Sequence, residues 1–281
     1  MNYRHIYHAG NFADVLKHAV LARLVGYLCQ KPKPFRVIDT HAGLGLYDLS
    51  ADEAQRTGEW RDGIGRLLGA DLPAEAAALL APYLDAVAAF NAPGDMTAYP
   101  GSPVLLRQLL RPVDRLSAIE LHPDDHAVLA DRFAGDHQVR VTRLNGWLAL
   151  KGHLPPKERR GLVLVDPPFE EPGEYTRLAD GLALGHRRFA GGTFCLWYPK
   201  KYGAPITAFH MALAATKIPS ILCVEMDVRR GETGLEGSGL IIVNPPYTLE
   251  AELAVLLPPL TRILAQDDSA SHAVFWLARE A

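Results

Sequence analysis

The stretch Phe35-Arg36-Val37-Ile38-Asp39-Thr40-His41-Ala42-Gly43-Leu44-Gly45 decides the fold. A short β-rich run ends at Asp39 and passes without a break into a glycine-bearing turn. That junction is the usual opening of a doubly wound sheet, in which ligands bind outside the carboxyl ends of the strands. Upstream, apolar residues recur at Phe12, Val15, Leu16, Ala19, Leu24, Val25 and Leu28 with helical spacing. Asn11 is placed to cap this helix, and Pro32 and Pro34 end the segment. Downstream, residues 116–121, 138–144, 161–165, 193–197, 221–227 and 240–243 read as strands, with a last one near 273–278. Helices fit residues 124–133, 175–189, 206–215 and 249–264. Alternation of this kind predicts an α/β, doubly wound fold, with a mostly parallel sheet and helices on both faces. The rhythm breaks over residues 48–98, charged and then alanine-rich, which read as a small helical insertion within a single domain of residues 1–281. Ser102-Pro103 then starts a helix through Arg111, with proline at its first position.

The chain has 281 residues, 48% of them apolar, and 29 Lys and Arg against 32 Asp and Glu give a net charge of −3. This is globular composition, and it excludes collagen-like and low-complexity classes. No apolar run approaches the ~18 residues of a membrane span, and Met1-Asn2-Tyr3-Arg4-His5 lacks a signal-peptide core. We therefore expect a cytoplasmic protein with no membrane partner. Cys29, Cys195 and Cys223 form no CxxC pair, so neither a disulfide framework nor a zinc site is indicated. His5/His8 and His122/His126 lack a carboxylate or cysteine at a familiar ligand spacing, so no metal is expected and these histidines read as surface or capping groups. Basic residues do cluster, at Lys31/Lys33, Arg107/Arg111/Arg115, Lys157/Arg159/Arg160, Arg187/Arg188 and Lys200/Lys201. Such groups suit phosphate contacts, which need only local positive charge, and they suit the solvated ends of elements equally well.

The chemistry-bearing residues collect at the predicted strand ends. Gly43-Leu44-Gly45 starts a dinucleotide fingerprint but does not complete GxGxxG, because Asp48 stands at its third position. Glu120, at the end of the next strand, is what a ribose diol needs as an acceptor. Together these features suit a nucleoside ligand without a pyrophosphate. Asn145-Gly146 follows the third strand and Asp166-Pro167-Pro168-Phe169 the fourth. Two prolines remove backbone donors and fix φ, so the Asp166 carboxylate and the Pro167 carbonyl are rigid acceptors with an aromatic ring beside them. Two acceptors and a stacking face suit a planar substrate that bears an exocyclic amine. Asn244-Pro245-Pro246-Tyr247 spells a similar motif, but too little chain follows it for the strands that come after a catalytic loop. We expect it to cap an edge strand, where proline is tolerated.

The Asp166-Pro167-Pro168-Phe169 arrangement resembles the [D/N/S]PP[Y/F/W] motif of S-adenosylmethionine-dependent amino methyltransferases. The resemblance extends to Tyr3-Arg4-His5, His8-Ala9-Gly10-Asn11, Ala13-Asp14-Val15-Leu16-Lys17-His18, Asp39-Thr40-His41-Ala42-Gly43, Tyr99-Pro100-Gly101-Ser102-Pro103, Glu120-Leu121-His122-Pro123, Leu196-Trp197-Tyr198-Pro199 and Asn244-Pro245-Pro246. These strings are similar to the RlmJ family, bacterial 23S rRNA adenine-N6 methyltransferases, over nearly the whole chain. The resemblance implies a Rossmann-like class I methyltransferase with a helical insertion. It also implies S-adenosyl-L-methionine as cofactor, held by His18, His41, Ser102, Glu120, Asn145, Gly146 and Asp166, with Asp166 catalytic. By the same resemblance Tyr3 touches the RNA, Lys17 belongs to a mobile N-terminal segment over the cofactor, and Lys17, Pro167 and Phe169 meet the substrate. The partner implied is 23S rRNA, and a monomer is expected. Asn145 stands where the family commonly has aspartate, and Phe169 where it has tyrosine.

The lone pair of an adenine N6 is delocalised into the ring. Hydrogen bonds from the amine to the Asp166 carboxylate and the Pro167 carbonyl favour a pyramidal nitrogen aimed at the methyl donor. Positioning of two bound reactants then supplies most of the acceleration, up to ~7–11 kcal/mol. The target base must leave its stack to arrive there, with Phe169 taking a neighbour's place. A guanine-N2 rRNA methyltransferase is the alternative, since the same acceptors fit that amine. A nicotinamide dehydrogenase is disfavoured by the incomplete glycine fingerprint, and an RNA-binding module without activity would use the basic groups alone.

Overall fold

The structure is a computed structural model that describes residues 4–231 and 233–279. Val37 and Ile38 are neighbours in the chain yet enter different hydrophobic cores, because successive side chains of a strand point to opposite faces of its sheet. Their strand, β1 (Arg36–Asp39), follows helix α1 (Phe12–Cys29). Next come β2 (Leu46–Asp48), α2 (Asp52–Thr57), a π-helical turn (Arg61–Gly65), α3 (Arg66–Leu68), α4 (Ala74–Ala88) and β3 (Ala98–Pro100). The regular alternation then runs α5 (Ser102–Leu109), β4 (Arg115–Glu120), α6 (Pro123–Arg132), β5 (Val139–Arg143), α7 (Gly146–Gly152), β6 (Gly161–Val165) and α8 (Glu174–Arg188). It ends with β7 (Thr193–Lys201), α9 (Ile206–Ala215), β8 (Ile221–Asp227), β9 (Leu235–Val243), α10 (Leu249–Leu264) and β10 (Ser271–Ala278).

Eight strands form one sheet in the order β10-β8-β9-β7-β6-β1-β4-β5. Strands β5, β4, β1, β6 and β7 pair in parallel, and β9 runs against both β7 and β8, with β10 against β8. The sheet is thus mostly parallel, as the alternation predicts, with its antiparallel strands gathered at one side. Helices α1, α4, α5, α6 and α10 pack with Val37, Leu162 and Leu164 on one face. Helices α7, α8 and α9 pack with Ile38, Val163 and Val165 on the other. Strands β7 and β9 run beyond the segments that sequence marks, to Lys201 and from Leu235. Residues 48–98 carry α2 to α4, and their flanks Leu46–Asp48 and Ala98–Pro100 pair with each other as a small antiparallel ladder.

Helix α1 begins at Asn11, whose Oδ1 accepts from Ala13 N and Asp14 N, both at 3.0 Å. That removes two of the orphan donors every helix start carries. The helix is buried on nearly all sides, as expected of one that is apolar around its circumference. Asp14, Lys17 and His18 are carried into the interior with it.

One expectation is corrected by the topology. Strand β9, which leads into Asn244-Pro245-Pro246-Tyr247, is not at an edge but lies between β7 and β8. The prolines are tolerated because they fall beyond the strand's last residue and face no ladder partner. Val243 pairs with Phe194 near the start of β7, whereas Val165 at the end of β6 pairs with Leu196. The two Pro-Pro motifs therefore sit at opposite ends of the sheet. Asn244, with φ of 52°, donates from Nδ2 to Ala190 O and Gly192 O, both at 2.8 Å. We expect Asn244→Ala to lower stability by ~1–3 kcal/mol through the lost hydrogen bonds and the left-handed backbone, with methylation by the folded variant unchanged. Denaturant titration and a methyl-transfer assay on the same sample check both parts.

Candidate active site

The parallel strands deliver their carboxyl ends to one cavity of about 280 Å3. Its wall contains His18, His41, Ser102, Glu120, Asn145, Gly146 and Asp166, all the expected cofactor residues, together with Lys17 and Pro167. Phe169 is not part of that wall. Its ring, on a backbone with φ of 52°, meets Tyr175 edge-on at 4.9 Å and Trp197 at 5.7 Å. Tyr3 lies outside the described residues.

Gly43 turns the chain after β1 with φ of 63°, and a Cβ there would stand 2.3 Å from Tyr47 Oη. At Gly146 a Cβ would come within 2.3 Å of Thr40 O, so only glycine lets these two loops touch. Glu120 is buried, and its carboxylate accepts from Gly43 N at 2.8 Å and His122 N at 2.7 Å. Burial pushes its carboxyl upward, against those two backbone bonds. Each oxygen keeps a lone pair for a hydroxyl of a ligand. Asn145 caps α7, its Oδ1 accepting from Trp147 N at 2.9 Å.

Asp39, at the end of β1, accepts from Ser102 Oγ at 2.6 Å. Burial pushes it up to about 7, helped by the Asp166 charge and opposed by the Ser102 bond, the His41 N–H and Lys17. Its folded-state value thus lies above the unfolded carboxylate value near ~4. Between these values the folded state holds the proton more tightly, so this group favours folding in acid and its contribution falls as pH rises. We expect Asp39→Asn to gain stability relative to the parent as pH goes from about 4 to about 7 and to hold that gain above it. Denaturant midpoints across this range check the sign.

The family resemblance places Lys17 on a mobile segment over the cofactor; in the structure its ammonium is buried between two carboxylates. It bonds Asp166 Oδ2 closely and Asp14 Oδ1 at 2.8 Å. Asp14 in turn accepts from Gly10 N at 2.9 Å and pairs with His5 Nε2 at 3.0 Å. Burial alone would raise Asp14, but the charges of His5 and Lys17 outweigh it and hold its carboxyl well below the usual range. Burial works to lower Lys17, yet Asp14 and Asp166 drive it upward. The line His5–Asp14–Lys17–Asp166 thus ties the start of the chain to the Asp-Pro-Pro loop.

Of the histidines read as surface or capping groups, His122 stands at the N-cap of α6, while His5 and His8 are part-buried and carry acidic partners. His5 pairs with Asp14, and His8 Nδ1 lies 3.0 Å from Glu59 Oε1. His210, Cys223 and Glu225 also converge, which sequence spacing did not signal. The Tyr198 hydroxyl stands among them, 3.0 Å from His210 Nε2, 3.3 Å from Cys223 Sγ and 2.7 Å from Glu225 Oε1. Lys200 Nζ neutralises Glu225 at 2.8 Å and Asp227 at 2.9 Å, so the cluster is a closed hydrogen-bonded network. The strings that carry the family resemblance contain Asp14, Tyr99 and Trp197 but assign none of them a role. Asp14 alone left a trace, three residues before Lys17 in an otherwise apolar helix.

Cofactor fit can be tested on one buried atom. His18 Nδ1 bonds Tyr99 Oη at 2.7 Å, while its Nε2 is buried on the cavity wall with no hydrogen-bond partner among the described residues. Such a group calls for a ligand. With the free lone pairs of Glu120 and the close glycine loops, it fits a nucleoside-bearing cofactor.

A doubly wound sheet with this cavity at its strand ends, an acidic residue closing β4 and an Asp-Pro-Pro-Phe loop following β6 define a class I S-adenosylmethionine-dependent methyltransferase. The family model "Ribosomal RNA large subunit methyltransferase D, RlmJ" matches residues 32–278. The chain belongs to this family. It is 43% identical over 286 residues to Ribosomal RNA large subunit methyltransferase J of Escherichia coli K12, and 41% identical over 284 residues to the Haemophilus influenzae protein of that name. Both alignments cover 100% of each chain. A crystal structure of a Legionella pneumophila protein superposes with a TM-score of 0.87 at 34% identity, over 95% of this chain and 98% of that one. The cofactor is S-adenosyl-L-methionine.

Proposed function

We propose that the protein transfers the methyl group of S-adenosyl-L-methionine to N6 of one adenine in 23S rRNA. The observation that carries this reading is the placement of Asp166, directly after β6 and on the same cavity wall as the cofactor residues. When bound, the cofactor supplies an electrophilic methyl group on a sulfonium. Asp166 and the Pro167 carbonyl accept from the exocyclic amine and orient its lone pair. Lys17 holds Asp166 by one oxygen, Oδ2, so Oδ1 remains for the substrate. After transfer the nitrogen is strongly acidic, and Asp166 takes its proton.

The names of the relatives, both large-subunit rRNA methyltransferases, support the RNA part of the reading. The choice of N6 rests on the family resemblance of the Asp-Pro-Pro-Phe motif. We read the chain as a cytoplasmic monomer without a bound metal; among the described residues no helix is long and apolar enough to cross a membrane. We read residues 1–281 as one domain and 48–98 as an insertion, since Tyr83 of α4 shares the core of α1 and α10. Phe169, held at positive φ between Tyr175 and Trp197, would present a ring to the flipped base.

Incubation with labelled S-adenosylmethionine and protein-free 23S rRNA, 16S rRNA, tRNA or DNA, followed by digestion and mass spectrometry, tests the reading. Label in N6-methyladenosine from 23S rRNA alone is expected. Label in N2-methylguanosine or in DNA would overturn the substrate. We further expect Glu120→Ala to weaken S-adenosylmethionine binding by ~1.5–3 kcal/mol, through loss of a charge-assisted acceptor. Unchanged affinity in calorimetry would remove Glu120 from the cofactor site.

A further inference from the structure

Two histidines of the cofactor pocket have one ring nitrogen each in a hydrogen-bonded chain, and the direction of each chain can be read from its far end. His18 Nδ1 lies 2.7 Å from Tyr99 Oη, and Tyr99 Oη lies 3.0 Å from Tyr83 Oη. All three residues are buried. Suppose the His18 Nδ1 proton pointed at Tyr99. Tyr99 would then donate to Tyr83, and the hydroxyl hydrogen of Tyr83 would have no acceptor among the described residues. A buried donor left unmade costs ~1–3 kcal/mol. In the opposite direction Tyr83 donates to Tyr99 and Tyr99 donates to His18 Nδ1. The one donor left over is then the His18 Nε2–H, which lies on the pocket wall where a ligand can accept from it, whereas the Tyr83 hydroxyl is sealed in the core. His18 then carries its proton on Nε2, the orphaned atom on the pocket wall.

The second chain runs the other way. Thr40 Oγ1 lies 3.0 Å from Leu164 O and 2.8 Å from His41 Nδ1. A carbonyl cannot donate, and two oxygens 3.0 Å apart repel unless a hydrogen lies between them, so the single hydroxyl hydrogen of Thr40 is directed at Leu164 O, which also accepts from Thr40 N at 3.1 Å. His41 Nδ1 must therefore donate to Thr40, which leaves His41 Nε2 as a bare acceptor on the same wall.

We infer that the pocket meets its cofactor with two neutral histidines locked in opposite tautomers, His18 as an Nε2–H donor set by Tyr83 and Tyr99, and His41 as an Nε2 acceptor set by Thr40. The tautomer of an imidazole follows the bond made by its other nitrogen. Burial supports the neutral forms: it pushes His18 down to about 3 against the pull of Asp14, and His41 down to about 4 against Asp166. Tyr99 and Thr40 are positioning residues, acting through the rings they orient. Tyr83 extends the control to α4, so the helical segment between β2 and β3 reaches the cofactor through two hydroxyls. One donor and one acceptor of fixed sense would admit a cofactor with an acceptor group at His18 and a donor at His41, and reject one presented the other way round.

The inference rests on the cofactor reading of the pocket, and nitrogen-15 NMR of histidine-labelled, cofactor-free protein tests it without that reading. His18 is expected to show a protonated Nε2 and a bare Nδ1, and His41 the reverse. Either ring in the other tautomer, or as an imidazolium at neutral pH, overturns the inference. Tyr99→Phe should turn His18 into a tautomer mixture, leave His41 unmoved and raise the Kd for S-adenosylmethionine about tenfold. Thr40→Val should do the same for His41 alone. A tautomer unmoved by its own variant overturns the relay, and if a variant fails to fold, the wild-type spectrum still decides. Unchanged S-adenosylmethionine affinity in His18→Ala, with the tautomers as drawn, would instead sink the cofactor role of His18.

Discussion

Asp166→Ala is expected to lose methyl transfer by at least ~10²–10⁴-fold, the span that a positioned proton-accepting group contributes, while S-adenosylmethionine still binds. The carboxylate stands in the cavity wall after β6, with Lys17 on Oδ2. Alanine removes both the acceptor for the amine and the base for its proton. The fold should survive, because the Lys17 ammonium keeps Asp14 Oδ1 at 2.8 Å. Asp166→Asn should retain more activity than alanine, since an amide oxygen can still accept from the substrate amine. Single-turnover rates at saturating cofactor, with thermal melts alongside, separate loss of chemistry from loss of fold. If Asp166→Ala were active and Asn244→Ala folded but inactive, the wrong Pro-Pro motif would have been assigned.

Lys17→Met should cost ~3–5 kcal/mol, because removing one partner of a buried ion pair strands the others. Two carboxylates lose their shared cation, and Asp14 is only 1% exposed. Against a total stability of ~5–15 kcal/mol, this is among the largest effects open to one substitution. The deficit has a definite pH dependence. The folded-state Asp14 is held below its ordinary value, so it contributes stability above about pH 4 that is lost on acidification. Without Lys17 that contribution shrinks, and the gap between parent and variant should be widest near neutrality and close as pH falls below about 4. Denaturant titrations at several pH values measure it. A gap that stays constant with pH would mean that lost packing, not lost charge, accounts for the deficit.

Much of the molecule is legible in its sequence. The Val37–Ile38 run, the glycine turn, the cap at Asn11 and the spacing of the later strands are local features. They depend on neighbours within a few residues, so periodicity and turn chemistry determined the elements, the α/β class and the strand ends where ligands gather. The Asp166-Pro167-Pro168 motif was legible for the same reason, since its rigidity lies in consecutive residues. Strand order was not: nothing near Asn244 shows that β9 lies inside the sheet and ends on the side away from Asp166. Nor could any local pattern show that Lys17 meets Asp166, 149 residues away, or that His18 takes its tautomer from Tyr99, 81 residues away. Charges and tautomers are set by what lies within a few ångströms in space, and only the packing of α1 against the sheet brought those partners together.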